Sequence, residues 1–372
     1  MIFTGQPSYS FDVRDAPPIE KDGSRIIIRT NTSRIFPRTI KGKAINSLIF
    51  SFNFIFKLIK QSFVSKIDLF IYTTEPPFMA FWAYLIFLIF RKPFIIILYD
   101  LYPDILVNTN TIRADSFLIK TWRFLNQIVY NKSNNLIVLS KPMKDKILYS
   151  YKNLDESKIS IIYSWVDTNK IKPIPKQENF FINDNDLRNK FIVLYSGNFG
   201  RCHDIETIKE SVDQLKIHDD ILFLFIGSGP RLPSLKNYCT LNNLTNAIFL
   251  SPQPLSVLPY SLAAADLALV TQLENTNGLI VPSKLYGHLA TATPVGAICS
   301  SGSYLTKIIN DNDFGKSFQN GDSIGLSNWI INMRDNPKLK KDYGSNGRDF
   351  LLKTATPEII TEKYLEIINK LI

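Results

Sequence analysis

Three stretches of this 372-residue chain place glycine beside polar or charged groups in loops that follow apolar runs. The first is Tyr195-Ser-Gly-Asn-Phe-Gly-Arg-Cys-His-Asp204, which follows Phe191 to Leu194 and precedes Ile205, Ile208, Val212 and Leu215 at helical spacing. This pattern predicts a strand, a glycine turn and a helix. Gly197 and Gly200 let the backbone bend and a ligand approach it, and Asp204 can cap the helix behind them. Free amide donors and the positive end of a helix dipole favour a phosphate or pyrophosphate over such a turn. The spacing is GxxG, not the dinucleotide pattern GxGxxG, and taken alone it is an ordinary strand-to-helix connection. The second stretch is Gly227-Ser-Gly-Pro230, with Gly227 and Gly229, after Ile221 to Ile226. The third is Asn277-Gly-Leu-Ile-Val-Pro-Ser-Lys284, with Gly278, Ser283 and Lys284 leading into the helical Leu285 to Ala290. A diphosphate needs backbone donors, a side-chain donor and a positive charge. Three such loops on one sheet edge would converge on an anion site of nucleotide size.

The elements that must carry these loops alternate in type. Asp68–Tyr72, Phe94–Leu98, Leu136–Leu139 and Ile159–Ile162 are strand-like runs separated by helical stretches. The alternation resumes with Phe191–Leu194, Ile221–Ile226, Ala247–Leu250, Asp266–Val270 and Val295–Ile298. This is the βα pattern of parallel doubly wound sheets, which bind ligands beyond the carboxyl ends of their strands. The length also exceeds what one core usually serves. The expected organisation is therefore α/β with two Rossmann-like domains, residues 1–172 and 189–372, joined by a Pro-containing linker at 173–188. Residues 8–24 are polar, contain Pro17 and Pro18, and read as loop; Met1 to Pro7 reads as the tail of a strand. The last helix, through Ile359, Ile360, Tyr364, Ile367, Ile368 and Leu371, carries an apolar stripe that is expected to dock back toward the first domain.

Charge is unevenly distributed. The formal net charge is +10; residues 1–170 hold 23 Lys+Arg against 13 Asp+Glu, and the remainder holds 20 of each. Between Arg34 and Lys92 nine basic residues meet only Asp68 and Glu75, and they are interleaved with Phe, Ile and Leu. That mixture suits an anionic membrane better than nucleic acid. Ile45, Leu48, Ile49, Phe52, Ile55, Phe56, Ile59 and Phe63 form a helical stripe broader than one core contact needs. It fits either a buried helix or one resting on lipid with Lys57 and Lys60 at the headgroups. Phe78 to Phe90 is an apolar run of 13 residues. As a helix it would extend about 20 Å, short of a hydrocarbon core of roughly 30 Å, so a span there is rejected. No charged segment followed by an apolar core opens the chain, so no signal peptide is expected. Cys202, Cys239 and Cys299 give neither a disulfide framework nor a ligand motif, and a reducing cytoplasm fits them best.

Tyr195–Asp204, Gly227–Pro230, Pro282-Ser-Lys284 and Ala290–Val295, in that order, resemble the donor half of the GT-B glycosyltransferases of family 4, the group 1 retaining sugar transferases. Thr4-Gly-Gln-Pro7, Thr74-Glu-Pro-Pro77, Tyr99-Asp-Leu-Tyr-Pro-Asp104, Ile137-Val-Leu-Ser140 and Ser164-Trp-Val-Asp167 are similar to segments of the branch that builds bacterial surface polysaccharides. The resemblance implies two domains facing a cleft and transfer from a nucleotide-diphosphate sugar, UDP-linked by preference, to a lipid-linked glycan acceptor. It places Gly197, Asn198, Gly200 and Arg201 beside the diphosphate, with Ser283 and Lys284 on its other side. Glu75, Asp100 and Asp104 fall on first-domain loops where acceptor and sugar meet, with Asp100, Lys284 and Arg201 as catalytic groups. It implies no cofactor and no metal, and a cytoplasmic protein peripheral to the inner face of the cell membrane. The chain departs from the family pattern where many members carry two glutamates eight positions apart; here Leu279 and Gly287 stand. Family members usually open with a strand and glycine-rich loop before the part matching Met1–Pro7, and the resemblance leads to the expectation that this element is absent here. Other readings are a catalytically inactive nucleotide-sugar binder or membrane-surface partner, and a GT-B sugar-nucleotide epimerase. At single residues, Arg201 can instead pair with Asp204, and His203 and His288 can be packing residues.

Overall fold

The computed structural model describes residues 1–6, 16–30, 40–77 and 79–372. Pro7, the polar stretch through residue 15, the basic residues Arg34 and Arg38, and Phe78 lie outside the described residues. The chain forms two compact units, and each is interrupted in sequence. The first comprises Met1–Val138, Ile147–Ile161 and Leu365–Ile372; the second comprises Leu139–Lys146 and Ile162–Tyr364.

The first unit holds two sheets. β1 (Ile2–Gly5), β2 (Ile19–Asp22) and β3 (Arg25–Thr30) form one in the order β1-β3-β2, with β1 parallel and β2 antiparallel to β3. The loop expected over residues 8–24 is thus corrected at 19–22. β2 is short and polar, and it exists by pairing with β3 across a tight turn at Gly23, whose φ is +58°. β4 (Phe70–Thr73), β5 (Phe94–Leu98), β6 (Asn135–Val138) and β7 (Ile159–Ile161) form a parallel sheet in chain order. The helices Ile40–Val64 and Met79–Phe90 precede β4 and β5. The second ends before Pro93, which cannot continue a helix.

The second unit is built on one six-stranded parallel sheet. Its strands are β8 (Phe191–Asn198), β9 (Ile221–Ser228), β10 (Ala247–Leu250), β11 (Leu267–Thr271), β12 (Val295–Ile298) and β13 (Gly315–Phe318), in the order β10-β9-β8-β11-β12-β13. Strand order reverses between β8 and β11, and the crevice of an open α/β sheet lies beyond such a reversal. Both faces are buried. Phe191, Val193, Tyr195, Phe223 and Phe225 join one core; Ile192, Leu194, Leu222, Leu224 and Ile226 join the other. Unbroken apolar runs, rather than alternating ones, are what a sheet covered on both sides requires.

Two expectations are corrected here. β8 and β9 run beyond Leu194 and Ile226, so Gly197, Asn198 and Gly227 lie on strands and not in turns. Gly197 pairs with Gly227 and Asn198 with Ser228, and this pairing extends the ladder past the last apolar residue. The linker at 173–188 lies inside the second unit. It contains the helix Phe180–Asp184, whose Phe181 and Ile182 pack with Ile192 and Leu194.

Candidate active site

Glycine at the ends of β8 and β9 is dictated by close backbone approach. Gly227 has φ +144°, and a Cβ there would come within 1.9 Å of the Gly197 carbonyl oxygen. Gly229, at φ +147°, would place a Cβ 2.5 Å from the Phe199 oxygen and 2.7 Å from Asn198 Oδ1. Gly197 itself has φ +125°, and a Cβ on it would face Lys284 Cε at 3.7 Å. Two glycine strand ends are therefore pressed together, and the side chain of Lys284 runs over the first of them.

The lysine is held from three directions. Its helix, Lys284–Ala290, begins directly after Ser283. Its Nζ donates to the Asn198 carbonyl at 3.3 Å and lies 3.7 Å from the centre of the Tyr195 ring. Tyr195 Oη donates to the same Asn198 carbonyl at 3.1 Å. Although its solvent exposure is intermediate, Lys284 is surrounded by protein mass, and this burial pulls its ammonium down to about 7. Among the described residues no carboxylate pairs with it; a carbonyl dipole and a ring face lie against it. An ammonium so placed is suited to an anion as its counter-charge.

The loop after β8 is tied to the loop after β11 at the reversal of strand order. His203 Nδ1 contacts the Thr271 carbonyl at 3.0 Å, and Leu273 N donates to the Cys202 carbonyl at 2.8 Å. His203 is pulled down to about 3, chiefly by burial and then by Lys284, with a further contribution from Arg231. At neutral pH it is an uncharged imidazole. Arg231, following Gly227-Ser-Gly-Pro230, thus delivers a second positive charge to the end of β8, and its amide donates to the Phe199 carbonyl at 3.1 Å. Sequence reasoning passed over Arg231, although a cation immediately after the second glycine stretch was a visible signal.

The remaining residues of this unit divide by role. Asn198 and Gly200 sit with His203: a Cβ on Gly200 would be 3.0 Å from His203 Cδ2 and 3.3 Å from Asn198 Nδ2. Asp204 is buried and accepts from Thr207 N at 3.1 Å, Thr207 Oγ1 at 2.7 Å and Asn320 Nδ2 at 2.8 Å. Arg201 is exposed, and among the described residues it forms no ion pair, with Asp204 or otherwise. Ser283 is exposed and makes no side-chain capping bond. Gly278, at φ +72°, is set against the Pro142 carbonyl, which a Cβ would approach to 2.9 Å, so its glycine is required by backbone packing. His288 is fully buried, and neither ring nitrogen has a hydrogen-bond partner among the described residues. Among the described residues no group of three or more His, Cys, Asp or Glu is placed to hold a metal ion.

In the first unit the ends of β4 and β5 bring two acids together. Thr73 lies opposite Ile97 in the ladder, and Tyr99 N donates to Thr74 Oγ1 at 3.2 Å, so the residues just beyond are neighbours. Burial, and then the Glu75 carboxylate, push the Asp100 carboxyl up to about 7. The same two causes raise Tyr99. Asp104 is separate: it is buried, begins the helix Asp104–Asn108, and accepts from Arg123 at 2.5 Å. Its geometry is that of a structural ion pair.

Comparison with known proteins places this geometry. The Glycosyltransferase Family 4 model matches residues 13–170 and the Glycosyl transferases group 1 model matches residues 176–350. The chain belongs to glycosyltransferase family 4. It is 26% identical over 343 residues to WbjE of Pseudomonas aeruginosa, assigned as a glycosyltransferase, covering 91% of this chain and 84% of that one. It is 26% identical over 180 residues to WcaI of Escherichia coli K12, assigned to colanic acid biosynthesis, covering 45% of this chain and 44% of WcaI. Among solved structures, Anabaena Alr3699/HepE in complex with UDP and glucose superposes with a TM-score of 0.70 at 16% identity, over 93% of this chain and 86% of that one. The fold is GT-B. Within this family 4 chain, the two positions lacking the common glutamates are occupied by packing. Leu279 is fully buried, and a Cβ on Gly287 would meet Leu262 Cδ1 at 3.2 Å.

Proposed function

We propose that this family 4 glycosyltransferase moves a sugar, with retention of configuration, from a nucleotide-diphosphate donor to a lipid-linked glycan acceptor during surface-polysaccharide synthesis. Lys284 carries the reading. A half-buried ammonium with no carboxylate partner among the described residues, set over two glycine strand ends, suits the diphosphate of a leaving nucleotide. Arg231 and Arg201 add positive charge to the same strand end or the loop beside it, so the leaving group is balanced by side chains and no metal is required. UDP is the favoured nucleotide, supported by the UDP held in Alr3699/HepE. Surface polysaccharide as the product is supported by the resemblance of the first half and by the assignment of WcaI.

In this reaction the bond between the anomeric carbon and the diphosphate oxygen breaks, and a bond from the acceptor oxygen forms on the same face. The electron pair leaves with the nucleotide diphosphate, whose charge Lys284 meets. The acceptor hydroxyl loses its proton; Asp100, pushed up to about 7, is the group suited to receive it. Lys284→Ala should raise the donor dissociation constant or reduce turnover at least tenfold, because a charge-assisted contact contributes about 1.5–3 kcal/mol. Incubation of the native chain with UDP- and GDP-sugars, with nucleotide release as the readout, tests the activity. Saturable binding with no release under any acceptor would instead favour an inactive binder, a reading to which the packed Leu279 and Gly287 positions lend support. Conversion of the donor without acceptor would indicate an epimerase.

A further inference from the structure

We propose that Asn126, in the core of the first unit, is a positioning residue for Asp100: by holding the Tyr102 carbonyl it fixes the loop that carries the acid. The helix Phe117–Lys132 buries Ile119, Trp122, Val129 and Tyr130 on its inner face, and Asn126 is set among them at 1% exposure. An apolar side chain would serve packing alone. A buried amide is costly unless it is hydrogen-bonded. Asn126 Nδ2 donates to the Tyr102 carbonyl at 2.8 Å and to Tyr151 Oη at 3.0 Å, and all three residues belong to the first unit. Tyr102 lies on the Asp100 loop, whereas Tyr151 is a core phenol packed edge-on against Tyr130 at 4.9 Å between ring centres.

The bond to Tyr102 reaches Asp100 through the backbone. Tyr102 N donates to the Asp100 carbonyl at 3.2 Å, and Tyr99 N donates to Thr74 Oγ1 at 3.2 Å, so Asp100 is held along the chain from both sides. The Tyr102 ring stacks on that of Trp122 with 6.0 Å between centres and 7° between planes, and Arg123 pairs with Asp104 at the start of the next helix. At 3.6 residues per turn Trp122, Arg123 and Asn126 span about 100° of one helix face. That face grips the loop at a ring, a carboxylate and a carbonyl. The Arg123 side chain is 41% exposed, so its ion pair is the looser hold and the buried Asn126 bond the firmer one.

Burial, and then the Glu75 carboxylate beyond β4, raise Asp100. Tyr99 is the titratable neighbour on the same loop, Asp104 and Arg123 offset each other, and burial keeps Tyr151 a neutral phenol. Asp100 stays out of water only while its loop is held closed. Without the Asn126 bond the Tyr102 peptide can turn toward solvent, water reaches the Asp100 carboxyl, and the acid falls back toward the ordinary carboxylate range. The effect on turnover rests on the role given to Asp100 in the transferase reading; the link from Asn126 to the carboxyl does not.

The test is an NMR titration of the isotope-labelled Asp100 carboxyl in the full chain, assigned with Asp100→Asn, run beside turnover. In the native chain the carboxyl should titrate at about 7. In Asn126→Ala it should move down by about one pH unit or more, and turnover should fall about tenfold or more at unchanged donor affinity. Tyr151→Phe removes the other partner of the same amide and should leave both the titration and turnover in place. Both variants disturb the core, so the contrast separates positioning from packing. Asn126→Ser loses the same reach, should shift the carboxyl in the same direction, and carries the test if the alanine chain does not fold. A native titration of Asp100 in the folded Asn126 variants, or an equal shift in Tyr151→Phe, would overturn the proposal. A shifted carboxyl with native turnover would uphold the positioning and remove Asp100 from the chemistry, which tells the two failures apart.

Discussion

The carboxyl ends of β8 and β9 in the second unit and of β4 and β5 in the first answer the same physical problem with opposite charges. Burial pulls the Lys284 ammonium down to about 7, and burial aided by Glu75 pushes the Asp100 carboxyl up to about 7. Removing water disfavours whichever form is charged, so a base and an acid are driven toward the same pH from opposite sides. The strand ends differ in construction. Around Lys284 the backbone is fixed by three glycines at positive φ, of which Gly227 and Gly229 cannot take a larger residue without collision with neighbouring backbone. Around Asp100 the control is burial of the carboxyl, with one exposed neighbouring carboxylate adding to it. In the proposed reaction the first arrangement receives an anion and the second a proton.

Asp100→Asn should break the comparison most severely. If Asp100 receives the acceptor proton, turnover falls by about 10²-fold or more while donor binding is unchanged. The same variant should be more stable than the parent at pH 8. A carboxyl raised in the folded chain costs stability as pH climbs from its unfolded value through about 7, and an amide does not. Denaturant midpoints at pH 8 measure this, and equal turnover would remove Asp100 from the chemistry. Gly227→Ala tests the other strand end. The clash with the Gly197 carbonyl should cost about 1–3 kcal/mol of stability and weaken donor binding together, measured by urea unfolding and by titration with a UDP-sugar. Glu75→Gln is the mildest change: it should move the alkaline-activated limb of the turnover profile to lower pH by less than one unit, since Glu75 is only the second cause of the Asp100 shift. A profile that does not move would leave burial alone as the cause.

Much of this was legible beforehand. Phe94–Leu98, Ala247–Leu250 and Val295–Ile298 coincide with strands because long β-branched or apolar runs in a doubly covered sheet carry their own boundaries. β13 is not marked by pattern; Gly315-Lys-Ser-Phe318 becomes a strand through its ladder with β12. β2 likewise depends on β3. The glycines of β8 read as a turn because glycine signals flexibility in one dimension, whereas here it permits two strands to touch. Phe180-Phe181-Ile182 was hidden by the prolines and polar residues before it, although three successive apolar residues suit a core better than a linker. At the site, Lys284 and Asp100 were visible as residue types at strand ends. Their shared displacement toward neutrality was not, because burial belongs to the packed chain.

The most direct test of Lys284 as the diphosphate's counter-charge is the number of protons taken up when the native chain binds a nucleotide sugar at pH 8, from calorimetry in buffers of different ionisation heat. With the free ammonium near 7 and the bound one held charged by the diphosphate, about one proton should enter per donor bound, and affinity should fall about tenfold per pH unit above 7. Binding with no proton uptake, and an affinity level from pH 7 to 9, would contradict it.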